Sequence, residues 1–170
     1  MSSIKRIGVI GGGISGLLCC YALARKGLEI FLVDHADFRD IKFKDRRAIV
    51  LSEASRSILQ RIGLWQKIKP FCTPIKEVWV SEKRAFGRIA LKADELGLRT
   101  LGWSICAHDL LMVISNAVLD SPNITLKMKK SFKDYDTSKK ILSLTLDDGS
   151  IESLKNIDFL VGADGIDSEV

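Results

Sequence analysis

The sequence has no apolar run approaching the roughly 18 uncharged residues that a membrane-spanning helix requires. Its first residues lead through a short apolar segment into glycines, without the small-residue cleavage site of a secretory signal. These two absences favour an intracellular, cytoplasmic protein. The four cysteines, Cys19, Cys20, Cys72 and Cys106, show neither metal-ligand spacing nor a C-x-x-C pair. No metal site is expected, and reduced, mostly buried thiols fit best. There is no internal repeat and no low-complexity linker, and prolines number only three. A chain of 170 residues then reads as one domain, residues 1–170, able to bury one sizeable core.

What is present begins with charge. The net charge is +5 and the pI near 9.1, with lysines gathered at Lys127, Lys129, Lys130, Lys133, Lys139 and Lys140. The plain reading is a solvated face of a β-rich segment. The alternative is attraction to anionic lipid or to an anionic cofactor. Nucleic acid is disfavoured, because the run lacks the aromatic–basic pattern of nucleic-acid surfaces.

Residues 4–10 read as a buried strand, broken by Gly11-Gly12-Gly13. Ile14, Leu17, Leu18, Tyr21 and Ala22 fall on one helical face, Arg25 and Lys26 suit the last turn, and Gly27 supplies the stop. Residues 28–33 form a second apolar strand that ends at Asp34, completing a βαβ unit. A polar loop follows to Arg47. Ser52 is the expected N-cap of a helix that stops at Gly63. Strands are expected over 75–81, 87–91, 124–128, 141–146 and 157–161. An amphipathic helix is expected from a cap at Asp109, and a hairpin turn at Asp147-Asp148-Gly149.

Gly11-x-Gly13-x-x-Gly16 sits where a strand gives way to a helix. The first glycine allows the tight turn, the second lets backbone approach a pyrophosphate, and the third lets helix and strand pack closely. Unpaired N–H groups at the helix start attract the phosphates. Asp34, 18 residues beyond Gly16, can accept both hydroxyls of an adenosine ribose and would repel a 2′-phosphate. These features serve FAD and NAD equally.

Two further segments bear on that choice. Asp45-Arg46-Arg47-Ala48-Ile49-Val50-Leu51-Ser52 resembles the D-x-R-A-x-x-L-S stretch of the FAD hydroxylases of ubiquinone biosynthesis. Gly162-Ala163-Asp164-Gly165-Ile166-Asp167-Ser168 resembles the G-A-D-G-x-x-S signature of class A flavoprotein monooxygenases. The Gly63-Leu64-Trp65 turn is also similar to the ubiquinone branch. The resemblance implies an α/β fold: a glutathione-reductase-like Rossmann FAD-binding domain with a parallel sheet, crossover helices and a β-meander. It implies that Gly11, Gly13, Ser15 and Gly16 cradle the FAD pyrophosphate and that Asp34 holds the ribose. Arg47 would lie along the cofactor, and Asp164 and Gly165 would approach the pyrophosphate, the Asp164 carboxylate accepting backbone N–H groups to hold its loop. Arg46 reads as a surface charge and His35 as a flank to the adenine.

The implied reaction is reduction of FAD by NADH or NADPH and oxygen transfer to a small-molecule phenolic substrate, a polyprenylated one in the ubiquinone branch. Such a substrate implies contact with the inner face of a membrane and with a ubiquinone-biosynthesis complex. Two departures from the family pattern stand out. His108 occupies the place of an arginine in a G-Y-x-x-x-x-R pattern, so it is either a weaker, pH-dependent cofactor contact or a partly exposed residue at a helix start. Nothing matches the family's later G-D-A-A-H segment. The chain therefore reads as incomplete relative to the family, with no assignable catalytic acid, base or nucleophile. The rival readings are a non-catalytic truncated remnant and a nicotinamide-dependent dehydrogenase domain.

Overall fold

The computed structural model describes residues 4–39, 45–82, 87–165, 168 and 170. In chain order the elements are β1 (Arg6–Ile10), α1 (Ile14–Ala24), β2 (Glu29–Asp34), β3 (Ala48–Leu51), α2 (Glu53–Arg61) and α3 (Trp65–Ile68). A 3-10 turn, Lys69–Phe71, leads to β4 (Thr73–Ile75), β5 (Glu77–Val80), β6 (Ile89–Lys92), β7 (Gly102–Cys106) and α4 (Ala107–Leu119). The last strands are β8 (Ile124–Met128), β9 (Lys130–Asp136), β10 (Ile141–Leu146), β11 (Ile151–Lys155) and β12 (Phe159–Gly162). They divide into two compact units, Met1–Phe43 with Leu111–Val170, and Lys44–Leu110.

In the first unit, β1 and β2 are apolar because they are covered on both faces, as parallel strands must be. They lie at the centre of a parallel sheet of order β12-β1-β2-β8. Helix α1 packs on β1, β2 and β8. Against the other face, the antiparallel meander β11-β10-β9 closes a core of Ile10, Phe31, Val33, Leu142, Leu144 and Ile157. Gly8 belongs to that contact: a Cβ there would stand 2.8 Å from a Leu160 methyl and 3.0 Å from one of Leu142. Asp158 ties the layers together, accepting from the Lys5 and Arg6 N–H groups at 2.9 and 3.1 Å and from Lys140 Nζ at 2.7 Å. The Lys140 ammonium, followed by those N–H groups, holds its carboxyl well below the usual range.

Several expectations need correction. The buried line of α1 is Gly16, Leu17, Cys20 and Ala24, so the face through Ile14, Leu18, Tyr21 and Ala22 is not the one turned fully inward. Gly16 must face the glycine turn, which rotates the helix. Arg25 caps that helix and Lys26 follows it, with Gly27 at φ +80° as the expected stop. Asp109 is no cap but lies in the first turn of α4, which starts two residues earlier. The lysine run is not simply a solvated face. Strand β9 runs through it, Lys127 reaches Glu152 at 2.6 Å, Lys130 pairs with the same carboxylate, and Lys139 reaches Asp136 at 3.1 Å.

The second unit holds an antiparallel sheet of order β3-β7-β4 and a two-stranded ribbon of β5 and β6. The run expected as one strand over 75–81 is therefore split at Lys76 between two sheets. Ser52 caps α2 as expected, its side chain accepting from Ser55 N–H at 3.2 Å, and Gly63 at φ +79° follows the helix. Leu59, Leu64, Trp65, Ile68 and Ile105 are buried in this unit. Among the described residues the four cysteines are free, and burial pushes the Cys20 thiol far above its ordinary value. No helix among the described residues is long and apolar enough to cross a membrane.

Candidate cofactor-binding site

The turn after β1 is locked between its neighbours. Gly11 N–H donates to Val33 O at 2.8 Å, and Ala163 N–H donates to Ile10 O at 2.7 Å. Gly11 lies at φ +107°, and a Cβ there would collide with the Ala163 carbonyl. Any side chain at Gly16 would drive into the Gly11 carbonyl, so the first turn of α1 rests directly on the glycine turn. Gly13 differs: its φ is −73°, and a Cβ would meet nothing within 4 Å. Sterically it could be alanine within the fold, so the space above it is open for something outside the chain.

That space lies over an open helix end. No side chain caps α1 and no acidic residue occupies its first turn. Gly13 and Ser15 are exposed. The first N–H groups of a helix have no partner within it, and they carry the positive end of its dipole. Beside them, Asp34 Oδ2 accepts from Gly12 N–H and Oδ1 accepts from Ala36 N–H at 2.7 Å. Each carboxylate oxygen keeps a second lone pair for a hydroxyl donor. The side chain is held at 15% exposure, with His35 Nδ1 3.4 Å from Oδ1. A groove of about 350 Å³ brings Gly11, Asp34, His35 and Asp164 together with Lys130 and Phe132.

Asp164 accepts from the Ser168 hydroxyl at 2.6 Å, so the carboxylate holds its loop through a side chain as well as any backbone contact. Gly165 sits at φ +101°, in the region that favours glycine. Ile166 and Asp167 of that signature lie outside the described residues. Lys130, which the sequence marks only as one of a lysine run, also lines this groove. Its signal was buried in a lysine-rich run whose strand, β9, has no clean apolar alternation.

Arg47 and His108 belong to the second unit, where they are neighbours. Arg47 forks onto Asp45, Nε at 2.9 Å and Nη2 at 2.7 Å, and is 86% exposed. That guanidinium holds the Asp45 carboxyl down to about 2. His108 N–H donates to Asp45 O at 3.2 Å, and Ala107 N–H donates to Arg47 O at 2.9 Å. The D-x-R spacing thus fastens the segment before β3 to the start of α4. His108 Nδ1 is buried and has no hydrogen-bond partner among the described residues. Arg46 is exposed, as expected.

The FAD binding domain profile matches residues 5–170. The chain belongs to this FAD-binding family. Its open helix end and anchored Asp34 fit the diphosphate and ribose of such a cofactor. Similar proteins include the 3-demethoxyubiquinol 3-hydroxylase of Escherichia coli, 28% identical over 96% of this chain and 42% of that one. A ubiquinone hydroxylase of Neisseria meningitidis is 27% identical, over 89% of this chain and 34% of its own length. A kynurenine 3-monooxygenase of Legionella pneumophila is 27% identical over 98% and 37%. The chain thus spans about two fifths or less of these relatives. Among solved structures, p-nitrophenol 4-monooxygenase from Pseudomonas putida superposes with a TM-score of 0.78 at 17% identity, covering 97% of this chain and 42% of that one. The flavin-dependent monooxygenase PieE gives 0.76 at 21%, over 98% and 31%. Both share the Rossmann-type α/β fold of this FAD-binding domain.

Proposed function

We propose that the chain is the FAD-binding portion of an NAD(P)H-dependent monooxygenase that hydroxylates a phenolic ring, with a polyprenylated ubiquinone precursor as substrate. The observation that carries the reading is the uncapped start of α1, open above Gly13 and flanked by an Asp34 already fixed by Gly12 and Ala36. Gly13, Ser15 and Gly16 present N–H groups to the FAD diphosphate, and Gly11, its own N–H held by Val33 O, presents bare backbone. Asp34 orients the adenosine ribose, and its charge disfavours a 2′-phosphate at this position. Asp164 lines the same groove, and Gly165 follows it in the chain, where bare backbone would approach the pyrophosphate. Arg47 and His108 are assigned to the cofactor as well, Arg47 through donors left over from its fork with Asp45.

When bound, FAD supplies the electron and oxygen chemistry, and the protein supplies orientation and electrostatics. The substrate assignment is supported by the names of two relatives, a demethoxyubiquinol hydroxylase and a ubiquinone hydroxylase. A quinone-type substrate would bring the protein to a membrane surface and to other enzymes of that synthesis. The cofactor reading is tested by incubating the chain with FAD or NAD and recording absorbance after gel filtration. Retained yellow colour, lost in Asp34→Ala, is the expected result; retention of NAD in place of FAD would overturn it. The reaction is tested on FAD-loaded protein by NADH or NADPH oxidation stimulated by a short-chain prenylated phenol, with hydroxylated product as readout.

A further inference from the structure

The second unit contains a cavity of about 540 Å³ that shares no lining residue with the groove beside the glycine turn. Its walls combine two indoles with three cations. Trp65 and Trp103 meet edge to face, centroids 5.2 Å apart at 72°. The Arg56 guanidinium stands 5.9 Å from one ring and 6.0 Å from the other. Lys69 and Arg99 complete the basic side. The acid of the cavity, Glu53, is engaged by Arg56 Nε at 2.6 Å. Among the described residues, neither the Lys69 ammonium nor the Arg99 guanidinium has an acidic partner, so the lining carries an excess of two positive charges.

We infer that this cavity is a binding site for a flat aromatic carboxylate, its ring against Trp65 and Trp103 and its charge between Lys69 and Arg99. The volume lies in the range of small-molecule pockets, and the lining has their usual mixture of aromatic wall and few polar anchors. Aromatic faces and edges favour a planar guest. A carboxylate offers an arginine two parallel acceptors, and a neighbouring ammonium adds a point charge. A bare inorganic anion would meet the cations and leave the indoles unused. A neutral aromatic would meet the indoles and leave both cations unused.

The test is a benzoate titration of the 15N-labelled chain, reading the indole N–H signals of its three tryptophans. Saturable shifts are expected for Trp65 and Trp103, with Trp79 unmoved, below about 10 mM, where even a millimolar-class site fills. The double variant Lys69→Gln/Arg99→Gln removes two exposed side chains and should weaken benzoate about tenfold or more. FAD loading of the same variant should be unchanged, which separates this site from the cofactor assignment. Benzyl alcohol and inorganic phosphate should each bind at least about tenfold more weakly than benzoate. The inference is overturned by an absence of saturable shifts, by shifts that persist unaltered in the double variant, or by phosphate matching benzoate.

Discussion

The two compact units differ in how completely they cover the apolar side chains of their strands. In the first, Val9, Ile30, Leu32, Val33, Leu142 and Leu144 are all fully buried, and the sheet is covered on both faces. In the second, the β5–β6 ribbon pairs Val78 with Leu91 and Val80 with Ile89, and these side chains remain 38–67% exposed. A two-stranded ribbon does not hold itself together in water, so its apolar face contributes little to the fold it stands on. The contrast teaches where sequence hydrophobicity encodes packing and where it encodes a surface. Within the first unit a similar division recurs at smaller scale, between glycines that the fold needs and one, Gly13, whose missing side chain the fold does not require.

That inner division gives the largest predicted effects. Gly16→Ala forces a methyl into the Gly11 carbonyl, and the strand–turn–helix junction must open. We expect a loss of about 3 kcal/mol or more in urea unfolding, together with loss of FAD. Gly13→Val, at the N-cap of α1, should cost no more than about 1 kcal/mol in urea unfolding, while it weakens FAD at least about tenfold by filling the open space with branched bulk. Equal destabilisation by the two substitutions would break the distinction. Next in size is Asp34→Asn. The amide keeps an acceptor for one of the N–H donors of Gly12 and Ala36 but loses the charge, so ADP and FAD affinity should fall about 10- to 100-fold. Isothermal titration with ADP isolates the adenosine part of the ligand.

The glycine turn was legible because its requirements are local. One residue needs positive φ, one needs no side chain, and the spacing of strand and helix is written in apolar periodicity. The two inner parallel strands, the hairpin at Gly149 and the Ser52 cap were legible for the same reason. The orientation of α1 was not, because Gly16 has no hydrophobic signature, yet it decides which side turns inward. Strand β9 was hidden by its lysines, of which Lys130 pairs with Glu152 on another strand and so does not mark a free surface. At the site, Asp34 could be placed by its distance from Gly16. Lys130 and Phe132 could not, since they reach the groove through the meander. The partnership of Asp45 with Arg47 lay in the motif itself, but its link to His108 spans more than sixty residues and left no local trace.

The ribbon offers a direct way to sharpen the comparison between units. Leu144→Ala, in the first core, should cost about 2–5 kcal/mol by urea unfolding. Val80→Ser with Ile89→Ser, on the ribbon, should cost less than about 1 kcal/mol. Light scattering should show less self-association in the ribbon variant, because its apolar patch is gone. A cost near that of Leu144→Ala would mean that the ribbon face is packed after all.

The smallest effect concerns acid. Asp45 is half-buried beside an exposed Arg47, and its carboxyl is held down to about 2 by the Arg47 fork and the Arg47 N–H. A carboxyl depressed in the folded state stabilises it fully above the unfolded value, about 3.9, and that contribution is lost as pH falls through 2. The wild type should therefore lose thermal stability between about pH 4 and 2 more steeply than Asp45→Asn. The difference should be slight, because the Arg47 end of the pair is exposed and screened by solvent and salt. Asp158, clamped by Lys140 and two backbone N–H groups in the first unit, is depressed further, so its loss extends to lower pH. Asp158→Asn should flatten the acid limb more than Asp45→Asn does. The reverse order would mean that the D-x-R fork, and not the layered core around Asp158, sets the acid limit of the fold.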